Sequence, residues 1–350
     1  MLDHFMKSLC LFFSLVYLSS SAQRIEKRSP SEALVIGFYN LENLYDTLND
    51  VWKNDEDFTP EGVNKWTGER YREKIRHLAE AIAAIGLEAS PTGVSLLGMC
   101  EVENKSVVED LVSAPALRNR QYAIVHLEGP DARGVDPSFI YQPSCFKLKK
   151  AVSYPVKLGM DTTHKTRDIL VVSGWIGNDA VAILVNHWPS RRGGELRSRE
   201  SRNKAARVAR RIADSITGAE PLCRVVIMGD LNDDPVNECV RHYIRTVSSP
   251  AQMKSGEYYN PMEKLYLRGI GTLAYKDSWN LFDQIILNEA WFTAPEGWRF
   301  AAVRIHNKTW LRTDFGSFKG YPFRSYSGGI YTGGYSDHFA SYIILQKNKP

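Results

Sequence analysis

The sequence predicts an α/β fold, and three observations predict it. Short apolar runs of strand length recur along the chain, at 33–39, 94–100, 180–185, 225–228, 281–287 and 339–345. Two amphipathic helical stretches, at 71–85 and 205–216, lie between them. Each run carries an acid, amide or imidazole at or beside one of its ends. With 43% hydrophobic and 11% aromatic residues in 350, the chain can bury a large core, and no long polar or repetitive tract breaks it. Alternation of strands and helices admits either a single doubly wound sheet or two packed sheets.

The elements justify themselves in order. Ala33 to Tyr39 reads as a buried strand that ends at Asn40, with Glu42 two residues on. Asp46 to Trp66 is polar and acidic and reads as solvated surface. Thr67 opens the clearest helix, because Tyr71, Ile75, Leu78, Ile82 and Ile85 recur at spacings of four and three and Gly86 stops it. Val94 to Cys100 is a second strand and discharges Glu101, Glu103 and Asn104. Tyr122 to Leu127 and Pro137 to Tyr141 read as a strand pair around the turn 129–136. Leu170 to Trp175 and Ala180 to Val185 form another, joined at Gly177 and ending in Asn186 and His187.

Val225 to Met228 runs through Gly229 into Asp230, Leu231 and Asn232. Extended backbone would put Asp230 and Asn232 on one face. Farther on, Asp283 falls inward among Leu281 to Leu287, and a buried Asp needs a partner. Arg299 to Tyr331 reads as a loop with one or two short strands. Asp337 and His338 stand directly before the last strand.

Residues 1–22 differ from the rest. Lys7 precedes the apolar run Leu9 to Leu18, followed by Ser19, Ser20, Ser21 and Ala22. These are the parts of a secretory leader, too short to span a bilayer, so the expectation is cleavage after Ala22, one domain over 23–350, and a periplasmic or secreted destination. Removing the leader takes one acid, Asp3, and one base, Lys7, so the formal charge stays at +4. Cys100, Cys145, Cys223 and Cys239 remain, and their spacing favours free thiols. Between Arg191 and Arg211 nine bases face two acids; Arg191, Arg192, Arg199 and Arg202 lie close behind His187, where an anionic substrate would gain from them.

In order and context, Asn40, Glu101, His187, Asp230 with Asn232, Asp283, and Asp337 with His338 resemble the endonuclease/exonuclease/phosphatase superfamily from about Ala33 to Leu345. The stretches FYNLEN, NHWPSRRGG, WNLFDQII and YSDH resemble an exported branch found chiefly in Bacteroidetes-type bacteria. The resemblance implies a four-layer sandwich, two mixed β-sheets packed face to face with helices outside, and a site at one rim. It implies Mg2+ or Mn2+ held by Glu101 and Asp337, with Glu42 as a further candidate, since hard oxygen ligands suit these ions. It implies that Asp230 positions or deprotonates the attacking water, that Asn232 and Asn40 bond the phosphate or hold the metal ligands, and that His338, oriented by Asp283, contacts the phosphate. His187 would protonate the leaving group, oriented by Asp136.

The function expected is phosphodiester hydrolysis, with nucleic acid as the favoured substrate and no stable protein partner or transmembrane segment implied. The alternatives are hydrolysis of a phospholipid head group or a phosphorylated small molecule, and a binding protein on an inactive scaffold. The first lacks a long apolar hairpin suited to membrane insertion. The second would show a lost ligand, and every expected ligand is present.

Overall fold

Period-two alternation along the strands decides the architecture. The structure, a computed structural model, describes residues 32–159, 165–294 and 296–347. The expected leader at 1–22 lies outside them. Among the described residues one sheet has six strands: Arg299–His306, Ala340–Lys347, β1 (Glu32–Leu44), β2 (Leu96–Val102), β4 (Asp136–Tyr141) and β3 (Ala123–His126), in that order. A second has seven: β5 (Lys147–Tyr154), β6 (Ile169–Ile176), β7 (Asp179–His187), β8 (Arg224–Asp230), Asp283–Leu287, Tyr258–Tyr259 and Thr246–Val247. Both are mixed, since β1 runs parallel to β2 and β7 parallel to β8 while their other neighbours in the order are antiparallel.

Leu34, Ile36 and Phe38 of β1 share one core with Val181, Ile183 and Val185 of β7 and with Val226 and Met228 of β8, so the sheets pack face to face. Alternate residues point the other way. Val35 and Tyr39 pack with Ile75, Leu78 and Ile82 of α1 (Gly68–Ala84) and with Val107 and Leu111 of α2 (Lys105–Ser113). Ala182, Leu184, Val225 and Ile227 pack with Ala205, Ala209 and Ile212 of α3 (Glu195–Ala219). Four layers result, as the family resemblance implies. Thr67 caps α1 by accepting the Arg70 N–H, and Asn104 caps α2 by accepting that of Val107.

Three elements escape the sequence pattern for physical reasons. β5 is an edge strand whose lysines face water, so it has no apolar run to announce it. Arg299–His306 is the opposite edge of the other sheet, and all of it but His306 is partly or fully exposed. α2 is nine residues long and shows only three buried side chains. The four cysteines are free, in line with their spacing. No helix among the described residues is long and apolar enough to cross a membrane.

The sheets approach closely at Gly98, where a Cβ would stand 2.6 Å from Met228 Sδ and 3.2 Å from Val185. Gly98→Ala should therefore cost about 1–3 kcal/mol by wedging the layers apart. The double variant with Met228→Ala should lose less than the sum of the two single losses, because the truncation empties the space the new methyl needs. Urea denaturation of the single and double variants checks this, and an unchanged midpoint for Gly98→Ala would contradict the close approach.

Candidate active site

The inner-face alternation that builds the core turns polar at one rim. Two residues past Phe38 on β1 stands Asn40; two past Val185 on β7, His187; two past Met228 on β8, Asp230; and two before Ile285 on its strand, Asp283. His187 pairs with Asp230 in register, and Asp230 with Asp283, so three polar side chains stand abreast on one sheet. Asn40 arrives from the other. Its Nδ2 donates to Asp230 Oδ2 at 3.1 Å and to Glu101 Oε1 at 3.2 Å, joining the sheets through one amide.

Glu101 comes by a different route, since Cys100 occupies the inner-face position of β2. The backbone turns left-handed at Glu101 (φ 60°), Glu42 (φ 50°) and Asn43 (φ 54°), and the pairing of β1 with β2 and of β2 with β4 shifts register there. Side chains rarely adopt this conformation, and each instance costs about 1 kcal/mol or more. The Glu101 carboxylate is delivered to Asn40 and to the Asn43 N–H at 2.9 Å. Asn232 is also left-handed (φ 51°), which corrects the expectation of extended backbone after Asp230. Its N–H donates to Asp230 Oδ1 at 3.0 Å and its Nδ2 to the Trp188 carbonyl at 3.0 Å, so a tight turn brings it beside Asp230.

The two imidazoles differ in charge. Burial alone would depress His338, yet Asp283, whose Oδ2 lies 2.7 Å from Nδ1, outweighs it and with Asp337 holds the ring well above its ordinary range. His338 is charged. His187 is pushed well below its ordinary range by burial and then by Arg167 and Arg133, so it is neutral, with Nε2 3.7 Å from both Glu101 Oε1 and Asp230 Oδ2. Burial first, then Asp283 and Glu101, push the Asp230 carboxyl up to about 7 against the pull of His338. The four carboxyl groups of Glu101, Asp230, Asp283 and Asp337 thus outnumber the two cations that pair with them at the rim, the His338 imidazole and the Arg324 guanidinium. An excess of hard oxygen donors fits a divalent cation such as Mg2+ or Mn2+. Cys100 Sγ lies within 4.8 Å of His187 and Asp230 ligand atoms, but burial raises its pKa well above the ordinary range, so it stays a thiol.

Four expectations are corrected by packing. Glu42 is already engaged: its Oε2 takes the Ser325 N–H at 2.7 Å and Lys74 Nζ at 3.4 Å, with Asp337 near enough to raise its carboxyl. Arg202 is 0% exposed and its Nε lies 2.7 Å from Asp233 Oδ2, so it is beyond a substrate's reach. Arg191 binds the Asn232 carbonyl, Asp233 and Asp234 and lies over the Phe282 ring, fastening the turn after β8. Asp136 does not orient His187. Its Oδ2 accepts the Gly129 N–H at 2.8 Å, while His187 Nδ1 has no hydrogen-bond partner among the described residues. Arg192 is exposed, and Arg199 is partly exposed with Glu195 3.9 Å away.

Other residues of the site went unnoticed in the sequence. Arg167 donates to Trp188 O at 2.6 Å and pairs with Asp131 at 3.3 Å, and Arg133 pairs with the same Asp131 at 3.3 Å. Both arginines sit in connections without periodic signal. Lys74 bonds Ser325 Oγ and the Tyr335 carbonyl and is 1% exposed. It lies one residue before Ile75 and four before Leu78, so a lysine inside an apolar stripe was the available clue. Arg324 pairs with Asp337 at 3.2 Å.

Arg202→Ala should destabilise the fold by about 3–5 kcal/mol, because it removes a fully buried guanidinium and leaves Asp233 with Arg191 as its one remaining cation among the described residues, whereas Arg192→Ala should stay within about 0.5 kcal/mol. Chemical denaturation distinguishes them. Because His338 has its pKa raised on folding, its pairing with Asp283 stabilises fully below the unfolded value and is lost as pH rises through the folded one. With chelator present, the wild-type chain should lose stability from about pH 6.5 upward, and Asp283→Asn should lack most of that slope. Parallel slopes in urea titrations would contradict the pairing.

The sequence profile of the Endonuclease/Exonuclease/phosphatase family matches residues 35–347. No curated protein matches the sequence significantly. The fold is similar to D. rerio TDP2 complexed with single strand DNA product, at TM-score 0.54 and 18% identity over 89% of this chain and 98% of that one. It is similar to the human Nocturnin catalytic domain with bound sulfate anion, at 0.53 and 14% over 90% and 97%. A mannosyl-6-phosphatase of Bacteroides thetaiotaomicron matches at 0.52 and 14% over 89% and 99%. The similarity to these structures is one of fold. With nearly the whole described chain matched by the profile, and with polar residues of both sheets gathered at one rim, the protein belongs to the endonuclease/exonuclease/phosphatase family, whose members are phosphoester hydrolases.

Proposed function

We propose that this protein is an exported, divalent-metal-dependent phosphodiesterase that acts on nucleic acid. The observation that carries the substrate class is a cavity of about 470 Å³ walled by Tyr275, Phe315, Phe318, Tyr321 and Phe323 and reaching Arg324, which pairs with Asp337. Tyr275, Phe315 and Phe318 are exposed. Aromatic faces beside an arginine suit stacked bases flanking a phosphate, at about 1–3 kcal/mol per base. Arg192 and Arg199 remain as candidate contacts to a polyanion; Arg191 and Arg202 are withdrawn from that role. Export rests on the leader at 1–22.

In the proposed chemistry Asp230, poised near neutrality, positions the water and accepts its proton. Asn40 holds Asp230 and Glu101 in fixed relation, and Asn232 keeps Asp230 turned toward the rim. Charged His338, braced by Asp283, donates to a phosphoryl oxygen. Neutral His187, its Nε2 3.7 Å from Glu101 Oε1 and Asp230 Oδ2, is a poor acid for the leaving oxygen. A cation bound by Glu101 and Asp337 would supply neutralisation of the phosphoryl charge.

Glu101→Gln should keep the fold, lose divalent-ion affinity at the rim and lower turnover by orders of magnitude. A panel of single-stranded DNA, RNA, mannose 6-phosphate and sphingomyelin, each with Mg2+, Mn2+ or chelator, tests the substrate. Preference for an oligonucleotide, reduced by Phe315→Ala, is the expected result. Preference for the sugar phosphate or the lipid would replace the nuclease reading with the phosphatase or head-group reading.

A further inference from the structure

The edge of the first sheet carries a second convergence of ligand atoms. His126 ends β3, Glu128 lies two residues beyond and Asp136 opens β4; one ligand atom of each lies within 4.8 Å of the other two. His126 Nδ1 lies 2.5 Å from Ser138 Oγ, its register partner's hydroxyl, and Nε2 lies 3.2 Å from Glu128 Oε1. In the tautomer with Nδ1–H donated to that hydroxyl, the Nε2 lone pair is free for a cation shared with the Glu128 carboxylate. Asp136 is 1% exposed, and its Oδ1 has no hydrogen-bond partner among the described residues. Leaving such an atom unmet costs about 1–3 kcal/mol.

The surroundings keep the position open. A Cβ at Gly129 would stand 2.1 Å from Asp136 Oδ1, so glycine is required beside it. Burial, first among the influences, pushes the Asp136 carboxyl up to about 6. The neighbouring Lys53 donates to the carbonyls of Gly129 and Asp131 at 3.1 and 3.2 Å. We propose that His126, Glu128 and Asp136 form a binding site for a divalent transition metal, Zn2+ by donor set, separate from the catalytic rim. One imidazole and two carboxylates leave a fourth position for water. The site closes the connection between β3 and β4, which carries Asp131 and Arg133, and Asp131 in turn holds Arg167 behind His187. Occupancy ties down the loop that sets the positive charge beside the His187 imidazole.

Zn2+ uptake by the Glu101→Gln chain, measured by competition with a chromophoric chelator, tests the site apart from the rim and from the proposed substrate. One equivalent should be retained. Adding His126→Asn should remove it or weaken it about tenfold or more. Glu128→Gln alters a side chain that is 61% exposed, spares the fold and should also weaken uptake. Co2+ in place of Zn2+ should give a visible absorption band that disappears with His126→Asn. A Glu101→Gln chain that takes up no Zn2+, or uptake indifferent to both His126→Asn and Glu128→Gln, would overturn the assignment.

Discussion

The side-chain amide of Asn40 is the contact through which two sheets come to share one site. Its two N–H groups reach Glu101 on its own sheet and Asp230 on the facing one. An amide can do this only if the layers are held at a fixed spacing, and that spacing is set deeper in the sandwich, where Gly98 lets β2 settle against Met228 and Val185. Packing of the apolar interior therefore determines the geometry of the polar rim. A shift of the sheets by a fraction of an ångström would open the bridge before it exposed the core.

Charge at the rim follows from the same burial. Removing Asp230, His187 and His338 from water penalises their ionised forms, and specific neighbours decide which ionisation survives. Asp283 keeps His338 charged, Arg167 and Arg133 help keep His187 neutral, and Asp230 is left near neutrality. Two histidines at equivalent depth thus take opposite states. The supporting arginines are themselves fastened by Asp131, so the electrostatics extends to the connection between β3 and β4.

Much of this was legible in the sequence because strands advertise themselves through alternation. Asn40, His187, Asp230 and Asp283 continue the inward-facing series of Phe38, Val185, Met228 and Ile285, and a reader of apolar runs finds them at the ends. What alternation cannot report is where a left-handed residue breaks it. Asn232 was expected on the pleat and instead reaches Asp230 by a turn, and Glu42 was expected at the metal and instead serves Lys74 and Ser325. The arginine cluster shows a different limit. Nine bases in one stretch suggested a polyanion-binding face, but Arg202 and Arg191 are consumed by Asp233 and Asp234, acids found in the strand-end motif itself. Arg133 and Arg167 carried no periodic signal, since each lies in a connection whose course only the packed fold defines.

The central claim is that the rim where the two sheets meet through Asn40 is built to hold a divalent cation against a phosphoester. Anomalous diffraction from crystals soaked in Mn2+ tests it most directly. The account predicts a peak within bonding distance of the Glu101 carboxylate, on the side facing Asp230 and Asp337. Ordered density for the unaltered Glu101, Asn40 and Asp230 side chains with no anomalous peak among them, in crystals that show Mn2+ bound elsewhere, would contradict it.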